Sequence, residues 1–264
     1  MSLLLFHALN HNSLDSDAVA FINSFGITNA VHKAAINYEA VFLKANGIWG
    51  KLKAFHPHIG GTATAHSGNL MSIGTSGGNS YITWYNSPTF NSSGTTGNGT
   101  SQYGDTHFYP DYLPANNIGI GYYSGTDLGT GNGHGIMGCQ NSGGAQLCWL
   151  LCTGTYSGGI GDNDTTLTGY AQSHTNGLWS INRISSTNVT LYYGNTPVES
   201  NSVTNSGSVS TRTIYLLGTN GDGNPTNLST LTCQGDYIGT NLTATDIANL
   251  NAMFSYVNQT ILGR

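Results

Sequence analysis

Hydrophobic periodicity changes twice along this chain, near residue 54 and again near residue 242. Residues 14–53 read as helical. Asp15 or Ser16 can cap a helix whose apolar positions Ala18, Phe21, Ile22 and Phe25 follow i, i+3, i+4, i+7, and Gly26 stops it. Thr28 is the expected cap of a second helix carrying Val31, Ala35, Tyr38 and Phe42 on one face, with Gly47 as its stop. Residues 242–262 form the best-signalled helix. Thr243 with Asp246 makes a short-chain capping box, Leu242 and Ile247 a hydrophobic staple, and Ile247, Leu250, Phe254, Val257 and Ile261 an apolar stripe.

Between these helical ends the period drops to 2. Strands are expected near 80–85, 103–109, 117–123, 134–139, 146–156, 165–171, 177–184, 188–193, 212–218 and 230–238. Turn chemistry separates them, as in Gly131-Asn132-Gly133, Tyr193-Gly194-Asn195 and Asn220-Gly221-Asp222-Gly223-Asn224. Many short strands at turn spacing predict a mainly β protein, an antiparallel β-sandwich with two N-terminal helices and one C-terminal helix packed on it.

Composition narrows what such a fold can do. Only 7% of the residues are charged and 37 are Gly, against about 25% charged in an ordinary domain. Seven Lys plus Arg in a chain of net charge −5, with no basic run, argue against nucleic-acid binding. No stretch is apolar and long enough for a membrane span, and Met1-Ser-Leu-Leu-Leu-Phe6 lacks the basic flank and cleavage site of a signal peptide. Cys139, Cys148, Cys152 and Cys233 follow no paired metal spacing and read as buried thiols.

Catalytic patterns are scarce, so no catalytic residue and no cofactor is expected. Glycoside hydrolysis needs two carboxylates at close range, yet the Glu residues are Glu39 and Glu199, in unrelated zones. Asp162 and Asp164 have usable spacing inside a turn, where a structural role, a Ca²⁺ pair and catalysis rank in that order; Asp222 also reads as a turn residue. Of the nine histidines, His56, His58 and His66 are close enough to raise the question of Zn²⁺, but without a neighbouring Cys or carboxylate they read as loop residues. Gly74-Thr-Ser76-Gly-Gly78 matches a nucleophile elbow in letters only. Aromatic residues give the stronger hint. Tyr81, Trp84, Tyr85, Tyr103, Tyr109, Tyr112, Tyr122, Tyr123, Trp149, Trp179, Tyr192 and Tyr193 fall on or beside strands. Adjacent Tyr residues face opposite ways, so one of each pair is expected to leave the core beside Asn and Ser, a surface suited to sugar rings. No individual ligand residue follows from this.

Two segments carry a family resemblance. Gly26-Ile-Thr28, Ala34-Ala-Ile36, Leu43 to Ala54 and His56-Pro-His-Ile-Gly60 to His66 form one; Tyr237-Ile-Gly239 to Asp246 and Ile261-Leu-Gly263-Arg264 form the other. Together they resemble the head and tail of a bacteriophage virion structural module with a concanavalin A-like lectin/glucanase jelly roll. The resemblance implies residues 1–13 as an anchor segment, 14–53 as a helical region and 54–264 as the sandwich with its C-terminal helix. It further implies a virion protein made in the host cytoplasm, a fibre knob or capsid decoration. Its partners would be other virion proteins, further copies of itself, a trimer by analogy with phage fibres, and a host-surface polysaccharide. The alternatives are a purely structural connector and, more weakly, a glycan depolymerase.

Overall fold

The computed structural model describes residues 14–73, 81–127, 134–144, 146–152, 156–162, 167–170, 176–202 and 208–264. Two sheets face one another. The first runs Thr196–Ser202, Asn188–Tyr193, Gly177–Ser185, Ile118–Ser124, Thr232–Gly239, Gly94–Thr96 and Thr89–Asn91 in spatial order. Strand Thr232–Gly239 divides its far edge between two partners. Gly94–Thr96 pairs with its start, and Leu52–His56 pairs with its end through Phe55↔Tyr237 and His56↔Asp236. The second sheet runs Leu167–Tyr170, Tyr156–Asp162, Gln146–Cys152, His134–Gln140, Tyr215–Leu216, Tyr103–Asp105 and Thr83–Tyr85. The hairpin of Thr219–Gly221 and Asn224–Thr226 joins it by a short parallel pairing, Asn220↔Cys139. The remaining pairings among the described residues are antiparallel, so the expected sandwich is present.

Between the sheets lies one apolar core. Ile118, Ile120, Tyr122, Trp179, Ile181 and Leu191 from the first sheet meet Ile136, Met137, Cys148, Leu150, Tyr156 and Ile160 from the second. Tyr156 and Trp179 stack across the gap with ring planes 4° apart. A second core lies on the outside of the first sheet. There Tyr123, Leu178, Tyr192 and Tyr237 meet residues of three helices: α1 (Ser16–Ser24), α2 (Ala30–Ala45) and, after the single helical turn α3 (Ala63–His66), α4 (Ala244–Ser255). Strand Ile118–Ser124 is therefore buried along its whole length.

This third layer overturns one sequence expectation. Tyr122 and Tyr123 do point to opposite faces, but both are buried, as is Tyr192. The helices turn the outer face into interior, so alternation no longer separates core from solvent.

Local signals decide the helix ends. Asp15 Oδ1 accepts from the backbone of Asp17 and Ala18. Thr243 and Asp246 form the reciprocal capping box, with Leu242 and Ile247 buried as the staple. The α2 cap is Asn29 rather than Thr28: its Oδ1 accepts from Val31 N at 2.8 Å and His32 N at 3.1 Å. The buried face of α2 is rotated from the expected one. Val31 is 48% exposed, whereas Ala35, Ile36, Glu39 and Leu43 are fully covered. Strand structure already begins at Leu52 inside the zone read as helical, and the expected strand at 146–156 resolves into Gln146–Cys152 and the start of Tyr156–Asp162.

Glycines inside strands make room for rings. A Cβ on Gly121 would stand 2.2 Å from the Tyr237 ring, and one on Gly235 would stand 2.2 Å from Phe254 Cε1. Phe254 in turn stacks on Phe55 with centroids 5.4 Å apart. Chemical denaturation should show Phe254→Ala losing about 3–5 kcal/mol and Gly235→Ala about 1–3 kcal/mol through overpacking. A neutral Gly235→Ala would contradict the ring-against-glycine packing.

Candidate functional site

The histidines expected in a loop are buried on the inner side of the first sheet, where His58 meets Trp84 and His66 meets Phe90. His56, His58 and His66 are fully covered, as are Thr95 and Asp236. Strand pairing sets His56 opposite Asp236, and the left-handed backbone at His58 (φ 51°) turns its ring back toward the same carboxylate. His56 Nδ1 lies 2.7 Å from Asp236 Oδ1, and His58 Nε2 lies 2.8 Å from Oδ2. Both His58 Nδ1, at 2.8 Å, and His66 Nδ1, at 2.7 Å, contact Thr95 Oγ1. The Gly61 N–H donates to His66 Nε2 at 3.0 Å.

That last contact at one end and the Asp236 carboxylate at the other orient the chain of bonds. With Nε2 accepting, a neutral His66 carries its proton on Nδ1 and donates to Thr95. The Thr95 hydroxyl then donates to His58 Nδ1, and His58 donates from Nε2 to Asp236, where His56 Nδ1 also donates. Both bonds converge on a single ionised carboxylate. Burial lowers the His58 pKa despite the facing Asp236. Burial, with His58 and Arg264 nearby, pushes His66 down to about 2. Burial alone would raise the Asp236 pKa, but His56 and His58 together outweigh it and hold the carboxyl below its usual value.

His58, Cys233 and Asp236 bring ligand atoms within 4.8 Å of one another. They do not fit a metal as arranged. To bind one, His58 would have to free the Nε2 that donates to Asp236. Its proton would then sit on Nδ1 and be donated to Thr95 Oγ1, and the bond from Nε2 to Asp236 would be lost. The cluster is a structural tie between residues 56–66 and the central strand.

A second feature is open to solvent. A cleft of about 420 Å³ lies where strands Ile118–Ser124, Gly177–Ser185 and Thr232–Gly239 meet the end of α4. Its walls are Tyr123, Asn176, the hairpin Tyr193-Gly194-Asn195-Thr196, Gln234, Asn251, Ser255, Gln259 and Arg264. Gly194 takes φ +61°, the turn geometry the sequence signalled, and sets the hairpin tip against Asn251. Tyr193 is held by its hydroxyl donating to the Asn176 carbonyl at 3.1 Å and by stacking on Trp179. Helix α4 continues as a π-helical segment, Tyr256–Ile261, a wider turn of the kind found at functional sites. Gln259 projects from this segment, while Asn258 turns inward and accepts from Arg264 Nε at 2.6 Å. The described lining contains no carboxylate and no histidine.

The other sequence candidates are scattered. Tyr85, Tyr103 and Tyr215 form a stacked row, with successive centroids 4.7 Å apart, and Tyr85 at its end is 39% exposed. Tyr109 and Tyr112 pack together at the surface, and Tyr81 lies against His107. Asp222 occupies its hairpin turn at φ 54° and accepts from Arg212 Nη2 at 2.6 Å. The Asp162 side chain, Asp164, the Gly74–Gly78 run and residues 1–13 lie outside the described residues. The four cysteines are buried and form no disulfide with one another. The amides of the cleft were not singled out by the sequence, because Asn and Gln are common throughout it.

No family model matches the chain, and no curated protein does. Solved structures do. The binding domain of botulinum neurotoxin serotype D matches at 15% identity and TM-score 0.53, covering 78% of this chain and 53% of that one. Botulinum neurotoxin type C, described as depending for cell entry on interaction with two ganglioside molecules, matches at 9% identity and TM-score 0.54, covering 81% and 53%. The chain thus spans about half the length of these neighbours, and at such identities the likeness is one of fold.

The buried cluster carries a pH signature. The unfolded chain takes up protons at His58 and His66 below about pH 6.5, where the folded chain does not, so their contribution is lost on acidification. Asp236 adds a further loss below about 3.8. Glu39 works the other way. Burial raises its pKa well above 4.5, and neither carboxyl oxygen has a hydrogen-bond partner among the described residues, so the folded chain keeps a proton that the unfolded chain releases. Glu39→Gln should therefore raise the melting temperature at pH 7.5 and steepen its fall below pH 6.5. Asp236→Asn should cost about 1.5–3 kcal/mol at neutral pH. Both are read by thermal melts across pH; a Glu39→Gln protein less stable at pH 7.5 would contradict this electrostatic account.

Proposed function

We propose that the protein is a non-catalytic glycan-binding module and that the cleft beside α4 is its binding site. The cleft carries this reading: an open volume of about 420 Å³, within the usual ~300–1,000 Å³ of ligand pockets, lined mainly by residues with amides and hydroxyls. Amides and hydroxyls bond sugar hydroxyls. Glycoside hydrolysis calls for paired carboxylates, and the described lining offers none. The fold shared with a toxin described by its ganglioside dependence supports the same reading.

A virion setting is the second part of the proposal, and the sequence resemblance of residues 26–66 and 237–264 supports it. A virion protein presenting several copies would gain avidity from individually weak sugar contacts. An antibody against this chain should then decorate intact particles, and sedimentation should report an oligomer.

Saturation-transfer NMR with bacterial surface oligosaccharides tests the binding site. Saccharide protons should receive magnetisation from the wild type. They should lose it in Ser255→Trp, which fills the cleft from α4 at the residue whose hydroxyl faces Tyr123 Oη at 3.5 Å. The reducing-end count should stay at background. Unchanged transfer in Ser255→Trp would move the site elsewhere; reducing ends accumulating with time would make the protein an enzyme.

A further inference from the structure

The cleft also specifies a charge class of saccharide, an inference that rests on the glycan-binding reading above. Its only charged lining residue among those described is Arg264, and that guanidinium is already committed. Nε donates to Asn258 Oδ1 at 2.6 Å. Nη1 donates to the carbonyls of Ser92 at 2.9 Å and His58 at 3.1 Å, and Nη2 to that of Gln234 at 3.1 Å. A guanidinium has five N–H groups, and it grips a carboxylate through two parallel ones. Here one Nη2 hydrogen remains, so neither edge of the fork can present a complete pair. Burial brings the Arg264 pKa down to about 10, which leaves it charged at neutral pH. Its charge serves the three carbonyls and Asn258.

The uncommitted groups around the cleft are of another kind. Asn195, Asn251 and Gln259 have amides that bond to no protein group among the described residues. Each offers two N–H donors and one carbonyl acceptor. That matches hydroxyl and acetamido groups, which both donate and accept. A carboxylate only accepts, so it can use the N–H side alone and is repelled by the carbonyl side. We propose that the cleft takes an uncharged saccharide, a neutral hexose or N-acetylhexosamine unit, and discriminates against one bearing a carboxylate.

The test is a printed array on which neutral glycans stand beside their sialylated or uronate-bearing counterparts, probed with the full chain at low and at physiological salt. The expected signal falls on neutral members, is insensitive to salt, and drops at least on the order of tenfold on the acidic counterpart. Asn251→Ala and Gln259→Ala, each on a partly or fully exposed helical position, should each weaken the neutral signal by up to about tenfold with unchanged melting temperature. Binding confined to acidic members, weakening with salt, overturns the selectivity and leaves the glycan-binding reading standing. Binding to no member overturns both. Full neutral binding by both amide variants would remove these side chains from recognition and overturn the inference.

Discussion

A buried chain of hydrogen bonds, held at one end by the Gly61 N–H and at the other by the Asp236 carboxylate, ties the first sheet to residues 56–66. Gly61 donates to His66 and the ionised Asp236 requires a donor from His58, so each proton between them through Thr95 has one place to be. An ionised carboxylate without such partners would be costly in this interior. With them, Asp236 can sit in the middle of the first sheet and pin residues 56–66 against it. Arg264 adds to the same joint by bonding the carbonyls of His58, Ser92 and Gln234. The cleft inherits its rigidity from this joint, since Gln234 and Arg264 belong to both.

The sequence was most legible where structure is local. The capping box at Thr243 and Asp246, the Asp15 cap, the turn at Gly194 and the hairpin at Asp222 are contacts within a few residues, and residue type alone signals them. Asn29 replaced Thr28 as a cap because adjacent residues were both competent. What resisted reading depends on partners far apart in the chain. His56 meets Asp236 across 180 residues, so its neighbours in sequence gave no sign of a carboxylate. Tyr123 and Tyr192 kept the strand alternation yet lost their exposure, because a helical layer that no strand pattern reveals lies over them. The cleft amides were visible as letters but indistinguishable from the many others.

The two segments that carry the sequence resemblance each give side chains to this joint: His56, His58 and His66 come from one and Arg264 from the other, while Thr95 and Asp236 lie outside both. Much of the cleft wall, Asn176 and the Tyr193–Thr196 hairpin, lies outside those segments. The buried joint and much of the cleft wall are thus written in different stretches of sequence.

The pairing of Phe55 with Tyr237 also bears on the order of folding. Closing a loop of that length is entropically costly and slows assembly. The sheets can form from residues within the span 83–239, whereas α1, α2 and strand Leu52–His56 can dock only once strand Thr232–Gly239 is in place. Until then Tyr123, Leu178, Tyr192 and Tyr237 face water as a contiguous apolar surface. The outer layer therefore acts as an intramolecular cover, added late, that removes a sticky face from a sandwich otherwise able to associate with others of its kind.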